Sequence, residues 1–266
     1  MSTMAPLTTV AALDLVDVRF GYAPDQPVVT GVTADLPAGK VAALIGPNAA
    51  GKSTLLRLIL GQAVPWNGRV SVCGRNVAGL PASQRAAMVS FVPQRGSIGF
   101  AFTVEQVVAM GRHALPADPA AVEQALQACD LPGLRQRIYA ELSVGQQQRV
   151  LLARALAQAR GAGRLMLLDE PVSAMDLFHI HHTMRLLVAQ ARSGLAVLIV
   201  LHDLNLAARY ADVVWLMDDG HLVAAGAWNQ VLRPEVLEPV YRVHLRALAG
   251  QPDRRPVFLI DDPDTL

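Results

Sequence analysis

Lys52 is one of only two lysines among the 266 residues, and it sits within Gly46-Pro47-Asn48-Ala49-Ala50-Gly51-Lys52-Ser53-Thr54. This is a complete G-x-x-x-x-G-K-[ST] loop, preceded by the apolar run Val41–Ile45 and followed by the helix-like Leu55–Ile59. Glycines let the backbone close around phosphate oxygens with successive N–H groups inward, and a following helix adds the positive end of its dipole. Lys52 can then reach β and γ phosphates, and the Ser53 hydroxyl can serve Mg²⁺. The pattern implies a bound nucleoside triphosphate.

Two further groups carry matching chemistry. Leu165-Met166-Leu167-Leu168 runs directly into Asp169-Glu170. A buried strand would hold Asp169 rigidly at its end, where it can hold Mg²⁺ directly or through water, with Glu170 placed to polarise a water attacking the γ-phosphoryl group. An acidic pair at a strand end also occurs in ordinary turns; the complete loop upstream favours the catalytic reading. Val200-Leu201-His202-Asp203 repeats the arrangement one strand later and brings His202 toward the γ-phosphate or the attacking water. Alone, such a histidine would read as a satisfied boundary residue.

The elements that must position these groups are legible in the hydrophobic pattern. Residues 11–20 alternate as a strand, Gly21-Tyr22-Ala23-Pro24-Asp25 reads as a turn, and Val28–Leu36 alternates in part. Val70–Val72 and Val89–Val92 are short strand candidates. Val104–Met110 and Pro119–Cys129 look helical, and Gln146–Arg160 reads as a long helix with an apolar stripe. Leu165–Leu168 and Leu195–Leu201 are bare of polar residues and flank a helix at Leu177–Arg192, which predicts a sheet covered on both faces. In the tail, Val257–Ile260 is the one obvious strand.

Composition narrows the function class. A chain of 52% apolar residues can build a substantial core, and its formal net charge of +1, without a basic block, points away from nucleic acid. Mean hydropathy is +0.32, yet no apolar run approaches the roughly 20 residues that span a bilayer. No signal peptide is evident, and Cys73 and Cys129, far apart, read as reduced thiols of a cytosolic protein. A role at a membrane would therefore come through a partner.

With these motifs in this order, the chain resembles the ATP-binding subunits of ABC transporters over roughly residues 10–245. Leu142-Ser143-Val144-Gly145-Gln146-Gln147-Gln148-Arg149 matches the signature sequence that separates this family from other phosphate-loop NTPases. The resemblance implies ATP and Mg²⁺ as ligands and a homodimer packed head to tail, in which Ser143, Gly145 and Gln146 meet ATP held on the partner's loop. Gln94 of Val92-Pro93-Gln94 matches the glutamine that approaches Mg²⁺ and couples the site to the membrane partner. Asp176 of Ser173-Ala174-Met175-Asp176 falls at the dimer contact, and Tyr22 where an aromatic ring faces adenine. Metal ligands are then Ser53, Gln94 and Asp169, and the catalytic set is Glu170, His202, Lys52 and Gln94.

The implied fold is α/β: a mainly parallel core sheet, an N-terminal antiparallel β subdomain and a helical subdomain at about 96–155. The ATP-binding domain spans 8–248, with a C-terminal tail at 249–266. Two positions depart from the common form. Ala49 stands where glycine often sits, which is free of strain only if its φ is negative. Val144 replaces the first of two paired glycines, restricting the backbone and adding bulk near the partner's phosphates.

Val107–His113 and His202–Asp212 resemble the importers of iron–siderophore complexes, haem and cobalamin, the latter stretch most of all the ferric-siderophore group. That likeness implies uptake of an iron chelate, a ferric siderophore first, with haem or cobalamin as the alternative. Partners would be a polytopic permease dimer and, indirectly, a substrate-binding protein, at the cytoplasmic face of the inner membrane. Manganese, zinc or lipid remain other cargoes. A soluble ABC ATPase of DNA repair or translation is the competing class, disfavoured because no long coiled coil, second cassette or basic arm is present. His179, His181 and His182 do not share one helix face and read as surface or interface residues rather than a metal cluster.

Overall fold

The computed structural model describes residues 11–96, 98–161, 164–248 and 255–261. The chain begins with β1 (Leu13–Ala23), β2 (Gln26–Leu36) and β3 (Val41–Ile45), then α1 (Lys52–Ile59), β4 (Asn67–Val72) and β5 (Arg75–Asn76). Next come α2 (Ala82–Met88), β6 (Val89–Val92), α3 (Val104–Ala109), α4 (Pro119–Ala128) and α5 (Val144–Ala159). Strands β7 (Leu165–Asp169), β8 (Ala196–Val200), β9 (Val213–Asp218) and β10 (His221–Ala227) alternate with α6 (Leu177–Arg192) and α7 (Leu204–Tyr210). The chain closes with α8 (Trp228–Val231), α9 (Pro234–Tyr241), β11 (His244–Leu248) and β12 (Val257–Asp261).

The six-stranded sheet has the order β10-β9-β3-β8-β7-β6, parallel except for the β9–β10 hairpin at its edge. Strands β3 and β8 are buried at every residue because helices cover one face, and α1 with the antiparallel sheet β2-β1-β4-β5 covers the other. Such strands have no solvent-facing side for polar residues, hence their unbroken apolar runs. The helical region α3–α5 lies in sequence between β6 and β7 and packs around Val104, Val107, Leu126, Leu131 and Leu152. Thr103 and Ser143 start α3 and α5 with reciprocal capping boxes.

Two local expectations change. The turn expected at 21–25 shrinks to Pro24-Asp25, because β1 continues through Gly21, which pairs with Pro27. A Cβ on Gly21 would lie 2.0 Å from the Gln26 carbonyl oxygen, so the glycine marks a close strand approach rather than a break. Helix α5 starts at Val144, two residues before the expected start at Gln146, because Ser143 caps it. At the other end of the chain, β12 pairs with β11, and Asn205 of α7 exchanges hydrogen bonds with the Phe258 backbone (2.7 and 3.2 Å). Among the described residues no helix is long and apolar enough to cross a membrane.

Candidate functional site

The loop from Gly46 to Gly51 joins β3 to α1 at the C-terminal edge of the parallel sheet. Its backbone turns sharply: φ is +143° at Gly46, +64° at Ala49 and +95° at Gly51. A Cβ at Gly46 would lie 2.0 Å from the Met217 carbonyl oxygen, so that glycine is required by space as well as by conformation. Ala49 does not meet the condition of a negative φ: it occupies the left-handed region, where a Cβ costs roughly 1–2 kcal/mol. Asn48 and Ala49 form the exposed rim of the loop, Pro47 is half-buried and Ala50 is buried.

Lys52 and Thr54 are buried at the start of α1. The Lys52 Nζ donates to the carbonyls of Gly46 (2.7 Å) and Pro47 (2.6 Å), which holds the ammonium over the loop. Burial lowers its pKa, against the opposing pull of Glu170 and Asp169. Asp169, at the end of β7, shows the reverse: burial raises its carboxyl pKa, countered by a hydrogen bond with the Ser53 side chain. An ammonium and a carboxylate, each penalised by desolvation, lie within reach of each other's charge. Phosphate oxygens would relieve the first and a cation the second, so the residues present fit a magnesium–nucleoside triphosphate.

Glu170 follows in a left-handed conformation (φ +48°), a strain typical of functional positions. Its Oε2 accepts from Gln94 Nε2 at 2.7 Å, and its Oε1 pairs with His202 Nε2. Strand ends β3, β6, β7 and β8 thus bring Lys52, Gln94, Asp169–Glu170 and His202 to one edge, as open parallel sheets do for their ligands. Tyr22 lies on β1 and is 62% exposed, its hydroxyl 3.3 Å from Thr54 Oγ1 and accepting from Arg57 Nη1 at 2.9 Å. Nothing in the sequence flagged Arg57, because an exposed helix arginine has no pattern of its own.

Ser143, Gly145, Gln146 and Asp176 gather elsewhere. With Val144, Arg149, Ala174, Met175 and His179 they line a separate cavity of about 510 Å³, which none of Lys52, Ser53, Asp169, Glu170 and His202 lines. Ser143 Oγ accepts from the Gln146 N–H (3.3 Å) and Gln146 Oε1 from the Ser143 N–H (3.0 Å), so the Gln146 side chain is committed to the cap. Asp176 caps α6, and hydrogen bonds from the backbone N–H and ring of His179 lower its carboxyl pKa. Val144 has an ordinary helical φ at the first turn of α5 and is 66% exposed, so this position needs no glycine freedom. The three helix histidines take different partners: His179 meets Asp176, His181 the Tyr210 hydroxyl and His182 the Ala128 carbonyl.

The family model for ABC transporters matches residues 29–173. The hemin import ATP-binding protein HmuV of Pseudomonas entomophila (strain L48) is 43% identical over 222 residues, covering 81% of this chain and 87% of that protein. The protein of the same name from Rhizobium meliloti (strain 1021) is 40% identical over 230 residues, covering 83% and 88%. Among solved structures, a metal-chelate type ABC transporter in an inward-facing conformation matches with a TM-score of 0.79 at 29% identity, over 97% of this chain and all (100%) of that one. An ATP-binding subunit of an ABC transporter matches with a TM-score of 0.78 at 26% identity, over 87% and 98%.

Proposed function

We propose, from the premise that this chain belongs to the ABC transporter family as an ATP-hydrolysing subunit, that it powers the import of haem through a membrane permease. The observation that carries the catalytic part is Glu170, its two carboxylate oxygens held by Gln94 and His202 beside Asp169 and the buried Lys52. In this reading Lys52 and the loop amides neutralise phosphate charge, Ser53, Gln94 and Asp169 hold the cation, and Tyr22 faces adenine. Glu170 takes a proton from the attacking water while His202 orients the carboxylate. Mg²⁺, when bound, supplies charge neutralisation across the phosphates. A second copy, packed head to tail, offers Ser143, Gly145 and Asp176 to complete each site.

Haem displaces the ferric siderophore expected from the stretch His202–Asp212. Proteins named for hemin import, at 40–44% identity, support the change. There is a physical reason why that stretch is a poor guide to cargo. Helix α7 packs Leu206, Ala207 and Ala208 into the core, so its sequence is set by the packing of the ATPase rather than by the chelate.

The test is ATPase activity of the chain co-purified with its permease, with binding protein loaded with haem, ferric siderophore or cobalamin. Stimulation by the haem-loaded protein, abolished by Glu170→Gln, is the expected result. Stimulation by another loaded protein alone overturns the cargo, and failure to associate with any permease overturns the transport role.

A further inference from the structure

Ser143 and Gly145 open α5, whereas Asp176 closes the turn before α6. These are separate elements that must keep one relative placement if they are to meet a nucleotide together. One contact between them is immediate: a Cβ on Gly145 would lie 2.8 Å from the Ala174 carbonyl oxygen. A single point of contact sets a separation but leaves the two elements free to rotate about it.

A second attachment runs through the histidines of α6. The His179 ring is 2.9 and 3.0 Å from the two Asp176 carboxylate oxygens through Nδ1. Its Nε2 is buried without a hydrogen-bond partner and faces the Asp130 carboxylate at 3.9 Å. Asp130, just past α4, is held by Arg149 of α5 at 3.2 Å, and the same guanidinium nitrogen donates to the backbone oxygens of Cys129 (3.0 Å) and Asp130 (2.8 Å). One turn along α6, His182 Nε2 donates to the Ala128 carbonyl at 2.9 Å. His182 therefore hydrogen-bonds the end of α4, while His179, three residues earlier on α6, faces the Asp130 carboxylate beyond hydrogen-bond reach and can hold it only as an imidazolium–carboxylate pair. Arg149 carries the connection back to the helix that begins at Ser143.

On the reading that two copies share each nucleotide, we infer that His179 is a positioning residue for the composite site. With a proton on both ring nitrogens it bridges the carboxylates of Asp176 and Asp130, and through the Asp130–Arg149 pair it sets Ser143 and Gly145 relative to Asp176 on the surface presented to a second copy. A purely local role is already filled by the His179 backbone N–H, which donates to the capping Asp176 Oδ1 at 2.9 Å whatever the side chain is. His179 lies outside the loop that holds the chain's own nucleotide. Its loss should therefore lower turnover without weakening that binding.

The experiment compares His179→Ala, Asp130→Asn and the double variant in the permease complex, with fluorescent-ATP binding measured on each isolated chain. We expect kcat to fall on the order of 10-fold in His179→Ala, with the nucleotide Kd within about twofold of the parent. The double variant should lose no more than His179→Ala, because both changes cut one connection. Losses that multiply, an unchanged kcat in His179→Ala, or a Kd that rises in step with the loss overturn the inference. If His179→Ala does not fold, the exposed Asp130→Asn decides: a lower kcat at unchanged Kd supports the role, and parental kcat overturns it. Glu170→Gln runs alongside, and continued hydrolysis there would instead defeat the catalytic reading itself.

Discussion

The two groups of residues proposed as half-sites are built in opposite ways. The loop half puts Lys52 and Asp169 on the edge of a buried parallel sheet, where desolvation disfavours both charges. The signature half consists of helix starts whose polar groups satisfy one another: Ser143 with Gln146, and Asp176 with His179. The first half stores electrostatic demand that only a charged ligand meets. The second has little unmet demand and contributes by where it stands. Chemistry should therefore be most sensitive to charge in one half and to geometry in the other.

The largest effects test the charged half. Lys52→Ala should remove measurable nucleotide binding and hydrolysis together, whereas Glu170→Gln should cut kcat by roughly 10³-fold or more while nucleotide still binds. Parallel loss of binding in Glu170→Gln, read by fluorescent-ATP titration, would erase the contrast. Next comes geometry. Gly145→Ala must displace the Ala174 carbonyl, only 2.8 Å from the new Cβ, so turnover of the assembled transporter should fall about 10²-fold with ATP affinity of the isolated chain intact. A fully active Gly145→Ala would show that placement in this half is loose.

Smaller effects sharpen the picture. Ala49→Gly should release left-handed strain in the loop, in part offset by the greater freedom of glycine in the unfolded chain. A net gain of about 0.5 kcal/mol is expected from urea midpoints. Cys129, buried behind α5, has its thiol pKa pushed up from 9.0 to about 12 by burial. At pH 8 its thiolate fraction should be roughly a thousandfold below that of an open cysteine, so iodoacetamide should modify it only on unfolding. Because the folded value lies above the unfolded one, Cys129 adds stability that is fully present below about pH 9 and is lost as pH climbs toward 12.

Much of the loop half is legible in the sequence. Its residues are consecutive or directly follow an apolar strand, so residue order alone implies their position. Tyr22 is legible as a residue but its strand is not, because Gly21 reads as a break when it is a close approach to Gln26. The conformation of Ala49 is hidden too, because backbone φ at one residue is set by what the loop must wrap around. The links His179–Asp130 and Tyr22–Arg57 leave no trace at all, since each joins residues far apart in sequence or without a periodic pattern.

By itself, the sequence determined the phosphate loop, the strand-borne acidic pair, the signature helix start and the covered parallel sheet. All of these depend on local chemistry: glycine conformations, capping residues and uninterrupted apolar runs. Only the tertiary structure decided that Gln94 and His202 both hold Glu170, and that Ser143 and Asp176 share a cavity apart from Lys52. Those relations come from packing of distant segments, where burial and the angle between elements, rather than residue type, select the partner.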